Sequence, residues 1–67
     1  MNRDQALQTI TDDIESLTKL HILYGIQDSP QFASIKNRIT KTIQHQKISV
    51  RADLSPMTLS LYRRYFS

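Results

Sequence analysis

The sequence has no cysteine and no tryptophan, a single glycine and two prolines. Without cysteine there is no disulfide, no thiolate nucleophile and no Cys-ligated zinc. One glycine cannot serve the several tight turns that a sheet of hairpins needs, which argues against an extended β fold. Scarce glycine and proline also remove the collagen-like and linker classes. Long apolar runs are missing too. The longest, Ile22 to Ile26, falls far short of the roughly 20 residues that cross a bilayer. The start, Met1-Asn2-Arg3-Asp4-Gln5, is polar and lacks the apolar core of a secretory leader. The expectation is a cytoplasmic protein with no membrane insertion.

What is present is 67 residues, enough for a single small helical domain spanning residues 1–67. A chain this short buries only about 60% of the surface it exposes when unfolded. Its stability must therefore come from tight helix packing, from a second copy or from a partner. Charge is divided along the chain. Asp4, Asp12, Asp13, Glu15 and Asp28 against Arg3 and Lys19 leave residues 1–28 at −3. Lys36, Arg38, Lys41, Lys47, Arg51, Arg63 and Arg64 against Asp53 leave residues 29–67 at +6. That asymmetry fits an acidic or nucleic-acid partner. It equally fits an acidic helix lying beside a basic one within the same bundle.

Helical periodicity dominates. Leu7, Ile10, Ile14, Leu17, His21 and Tyr24 recur at steps of three and four, with Leu20 and Leu23 widening the stripe. Asn2 and Gln5 form a capping-box start, and Gly25 falls where a left-handed residue ends a helix. This places a first helix at about 3–24, with Ile26 packing back on its final turn. Ser29-Pro30 is a cap followed by a proline that gives up a donor with no partner. Phe32, Ile35, Ile39 and Ile43 then stripe a second helix at about 30–46. Ser55-Pro56 repeats the device, with Leu54 and Leu59 as a staple, and Thr58, Leu61, Tyr62, Tyr65 and Phe66 on one face of a short helix at about 56–66. Lys47 to Asp53 alternates polar and apolar and reads as an extended linker whose Ile48 and Val50 close the end of the core. The fold class is all-α: an antiparallel helical hairpin plus a short C-terminal helix.

Enzyme chemistry has little to stand on. There is no Gly-rich phosphate loop and no G-x-S-x-G. Asp12, Asp13 and Glu15 spread around a helix and read as a solvated acidic face. His21 falls in the apolar stripe as a boundary or hydrogen-bonded core residue. His45 sits in a basic stretch that suits a helix C-terminus. Neither has metal-ligand spacing. No enzyme activity, metal, cofactor or small-molecule substrate is expected.

Binding surfaces are better supported. Tyr62, Tyr65 and Phe66 are three of five aromatics, crowded beside Arg63 and Arg64. Tyr and Arg anchor interfaces, so Arg51, Tyr62, Arg63, Arg64 and Tyr65 form the candidate surface for a protein partner. The plainer reading is that these aromatics dock the last helix on the hairpin. An alternative is a small dimeric nucleic-acid-binding regulator using Lys36, Asn37, Arg38 and Lys41, residue types that meet phosphates and bases. The spacing between helices two and three is long for a helix-turn-helix. A third reading makes the near-heptad stripe of helix one a homodimer seam.

One family resemblance is carried by an apolar-striped helix, a short basic connector, then Leu54-Ser55-Pro56 leading into Leu61-Tyr62. Over residues 30–67 this pattern resembles the C-terminal half of the pediocin-like (class IIa) bacteriocin immunity proteins, cytosolic antiparallel helical bundles of Gram-positive bacteria. The resemblance implies a non-catalytic protein in which Lys47 to Phe66 carries specificity. It also implies recognition of the cognate bacteriocin's attack on the mannose phosphotransferase permease. The chain is shorter than that family, and one of its four helices is not predicted here. The leading expectation is a small regulator or adaptor, of immunity type, that engages a protein partner.

Overall fold

The computed structural model describes residues 2–66. Helix α1 runs Arg3–Tyr24, α2 Pro30–Gln46, α3 Val50–Asp53 and α4 Pro56–Phe66, with no strand among the described residues. Helices α1 and α2 form the antiparallel hairpin, and α4 packs back on α1.

Each boundary has a local cause. The Asn2 side chain accepts from the Gln5 N–H at 2.8 Å, while Gln5 Oε1 accepts from the Asn2 N–H at 3.2 Å, so two otherwise unpaired donors are satisfied. At the other end Gly25 adopts φ 66°, donating to the His21 carbonyl, and the Ile26 N–H reaches back to Leu20. Ser29 Oγ accepts from the Phe32 N–H at 3.0 Å and Pro30 opens α2. Helix α2 ends on Lys47, which takes the left-handed conformation (φ 52°) that a glycine would take more cheaply. Its N–H returns to Gln44, and the Ile48 N–H returns to Ile43, carrying Ile48 into the core.

The core is a single cluster of Ala6, Ile10, Ile14 and Leu17 from α1, Phe32 and Ile39 from α2, and Ile48 and Leu54 from the connector. Leu59, Leu61, Tyr62, Tyr65 and Phe66 pack against it at half-burial, and Thr58 is buried. The expected faces of α2 and α4 are thus the ones that pack. Ile14 and Leu17 are 1% and 0% exposed. Ile14 and Leu17, at the centre of the stripe from which a homodimer seam on helix one would be built, pack in the protein's own interior.

Three expectations are corrected. Residues 47–53 are not extended throughout: Val50–Asp53 forms one helical turn. Ser49 Oγ accepts from the Ala52 N–H, and Asp53 accepts from the Ser49 N–H at 2.8 Å. This reciprocal cap outweighs the weak alternation of the segment. Ile48 and Val50 nevertheless close the core as expected. Second, the α1 stripe ends before the helix does. Leu23 and Tyr24 are 68% and 70% exposed. Leu23 falls with Ile22 on the outer face of α1, and Tyr24 is the last residue of the helix, beside the hairpin loop. Third, Asp13 is not on a solvated face. It is 5% exposed, between Ile10 and Leu17 on the packed side.

Candidate partner-binding surface

The C-terminal aromatics serve two masters. Tyr65 meets His21 edge-on at 5.7 Å and Phe32 at 5.9 Å, and its hydroxyl shares a 3.0 Å hydrogen bond with His21 Nδ1. Tyr62 stacks on Phe66 at 4.4 Å, and the Lys36 ammonium lies 5.1 Å from the Phe66 centroid. Edge-on and stacked ring pairs of this kind add to apolar burial, and they dock α4 on the hairpin. Both tyrosines are half-buried, while Arg63 and Arg64 are exposed beside them, Arg64 reaching over the Tyr65 ring at 6.0 Å. His21 is therefore the hydrogen-bonded boundary residue that its place in the stripe implied.

Of the five residues expected to face a partner, the structure brings Tyr62, Arg63, Arg64 and Tyr65 together and leaves Arg51 out. Arg51 lies on α3, whose Asp53 is ion-paired with Arg3 at the start of α1. Tyr65 touches His21 near the end of α1. Arg3 and His21 are about 27 Å apart along the helix axis, so Arg51 belongs to the opposite pole. Asp53 is held below the usual carboxylate range, first by the Ser49 N–H and then by the Arg3 guanidinium.

The four residues of the nucleic-acid alternative do not form one free patch. Lys36 turns toward Phe66. Arg38 turns the other way, its Nε and Nη2 donating to the two Asp13 oxygens at 2.8 and 2.6 Å. The Arg38 guanidinium is held more firmly protonated by that hydrogen-bonded pair and by the Asp13 charge. Asn37 and Lys41 remain exposed. Part of the charge asymmetry is thus resolved internally, acid on α1 against base on α2. Asp12 and Glu15 are exposed, His45 is exposed near the end of α2, and no group of three metal-ligating side chains occurs among the described residues.

Sequence reasoning missed a run of exposed apolar residues. Ile22, Leu23 and Tyr24, in the last turn of α1, are 65%, 68% and 70% exposed. The signal was visible as a switch on the outer face of α1: polar through Gln8, Asp12, Glu15 and Lys19, then apolar at Ile22 and Leu23. They lie at the same pole as Tyr65 and Arg64, next along the helix from His21. Among the described residues no helix is long and apolar enough to cross a membrane. No family model, curated protein or solved structure matches the chain.

Proposed function

We infer that the protein is a small, non-enzymatic, cytosolic regulator or adaptor that engages a protein partner, of the immunity type that its C-terminal pattern resembles. The observation that carries this reading is the uncovered pole: three large apolar side chains, each about two-thirds exposed, in the helical turn that follows His21, whose partner Tyr65 lies under Arg64. Large apolar side chains gathered in water at one end of a molecule are unfavourable for a free monomer and mark an interaction site. Tyr and Arg supply most binding energy where they are rigidly presented, and docking against His21 and Phe32 presents this edge of α4. The chain's net charge of +3 selects an acidic partner with an apolar pocket at its centre.

The test is quantitative capture by the tagged full chain from its source cells, followed by binding of the purified partner. Leu23→Asp and Arg64→Glu should each remove the same partner that the parent chain retains, with helical circular dichroism unchanged. Retention by both variants would overturn the reading. Duplex DNA binding that falls steeply with salt would replace it with the nucleic-acid alternative.

A further inference from the structure

A cleft of about 300 Å³ opens at the same pole, between the end of α1, the hairpin loop, the start of α2 and the end of α4. His21, Phe32 and Tyr65 wall it, with Lys36 and Arg64 from two different helices and Asp28 from the loop. We propose that this cleft is a binding site for an oxyanion, a phosphoryl or carboxylate group, held between Lys36 and Arg64 and hydrogen-bonded by the His21–Tyr65 pair.

The cations are the first reason. Among the described residues the ion pairs are Arg3–Asp53 and Arg38–Asp13, so neither Lys36 nor Arg64 is paired with a carboxylate of those residues. Each is instead placed over a ring, Lys36 over Phe66 and Arg64 over Tyr65. A ring face orients a cation while leaving its N–H donors free. The guanidinium offers a planar fork of donors suited to two oxygens of one anion.

The second reason is the bond between His21 and Tyr65. A neutral imidazole and a phenol hold one N–H and one O–H between them. Only one of these is used in their mutual bond. Whichever tautomer His21 takes, a donor is left over, on Nε2 or on the Tyr65 hydroxyl. The cleft thus has two positive groups and a neutral donor fixed by packing, and a single acid, Asp28, on its rim. Its aromatic walls leave room for an apolar body attached to the anion. The site goes beyond the protein-partner reading and is tested with small ions alone.

The experiment is a two-dimensional amide NMR titration of the full chain with inorganic phosphate and, separately, with acetate, at ionic strength held constant with sodium chloride. Saturable shifts centred on His21, Lys36, Arg64 and Tyr65 support the site. Stronger binding of phosphate assigns it to phosphoryl groups and stronger binding of acetate to carboxylates. Lys36→Ala and Arg64→Ala should each weaken binding by about tenfold, the loss of one charge-assisted contact. Lys41→Ala, on the same helix but outside the cleft, should leave it unchanged. Asp28→Asn should tighten binding by about threefold, the removal of one screened repulsive charge from the lining of the cleft. Shifts spread without saturation over all lysines and arginines would overturn the proposal, as would indifference to Asp28→Asn.

Discussion

Replacing Arg38 by alanine strands a carboxylate that the fold keeps out of water. The Asp13 side chain is 7% exposed, while that of Arg38 is 62% exposed. Both Asp13 oxygens are filled by Arg38 donors, and no other partner takes them. Removing Arg38 leaves the Asp13 carboxyl largely desolvated and unpaired, at a cost of about 1–3 kcal/mol. The larger penalties of fully buried pairs do not apply, because one end of this pair is already wet. Removing Asp13 instead frees an exposed arginine to return to water. It also installs alanine, a better helix former by about 0.5 kcal/mol, so the net cost is about 0–1 kcal/mol. The two truncations of one ion pair are therefore unequal, and the double variant should resemble Asp13→Ala. The coupling between the positions is then the full Arg38→Ala cost, about 1–3 kcal/mol. Urea unfolding followed at 222 nm for the four proteins of the cycle measures these quantities. For a domain of this size Arg38→Ala corresponds to a fall in Tm of roughly 5–15 °C. If Asp13→Ala costs more than Arg38→Ala, or if the coupling is near zero, the assignment of Asp13 as a desolvated, Arg38-dependent carboxylate is wrong.

Gly25 and Lys47 both have positive φ, and nothing lies within 4 Å of the place a Gly25 side chain would occupy. Gly25→Ala should then cost about 1 kcal/mol from backbone strain alone, while Lys47→Gly should gain up to about 1 kcal/mol, opposite signs in one chemical-denaturation series. The folded state holds the Asp53 carboxyl below its ordinary value. Its contribution is complete above the unfolded value near 4 and is lost as pH falls through the lowered folded value. Between pH 5 and 2.5 the parent chain should lose more thermal stability than Asp53→Asn; equal losses would show that the Ser49 cap contributes nothing. Leu23→Ser should leave stability within about 0.5 kcal/mol, whereas Ile39→Ala, at a fully buried position, should cost about 2–5 kcal/mol and leave little folded protein.

Helix boundaries were legible because each is written in residues whose backbone chemistry is local. Asn2, Gly25, Ser29-Pro30 and Ser55-Pro56 act within one turn of themselves; α1, α2 and α4 begin, and α1 ends, where those signals stand. What stayed hidden depends on neighbours. The period of α1 continues through Tyr24, but Leu23 falls on the outer face and Tyr24 stands at the very end of the helix, and both are exposed. Asp13 sits three residues after Ile10, a buried register. Polarity alone suggested solvent, because no local rule could announce Arg38 arriving from α2. The turn at Val50–Asp53 is too short to show a period, though the Ser49 and Asp53 pair that caps it could have been read. For the candidate surface, crowding of Tyr62, Arg63, Arg64 and Tyr65 at the end of the chain was visible. The separation of Arg51 was not, since it follows from where Arg3 meets Asp53.

The aromatic docking of α4 has a consequence for how the molecule opens. Helices α1 and α2 hold Ile10, Ile14, Leu17 and Ile39, the most deeply buried side chains, between themselves. Helix α4 contributes half-buried rings and one buried threonine. It is also too short to persist once detached. The amides of α4 should therefore exchange with solvent through a sub-global opening at lower free energy than those of the hairpin, with the hairpin left standing. In such an opening Tyr65 leaves His21 and Phe32, and Arg64 is carried away from the uncovered end of α1. The protein would then hold two populations, one with the pole assembled and one with it dispersed, and any ligand that spans α1 and α4 would draw on the first.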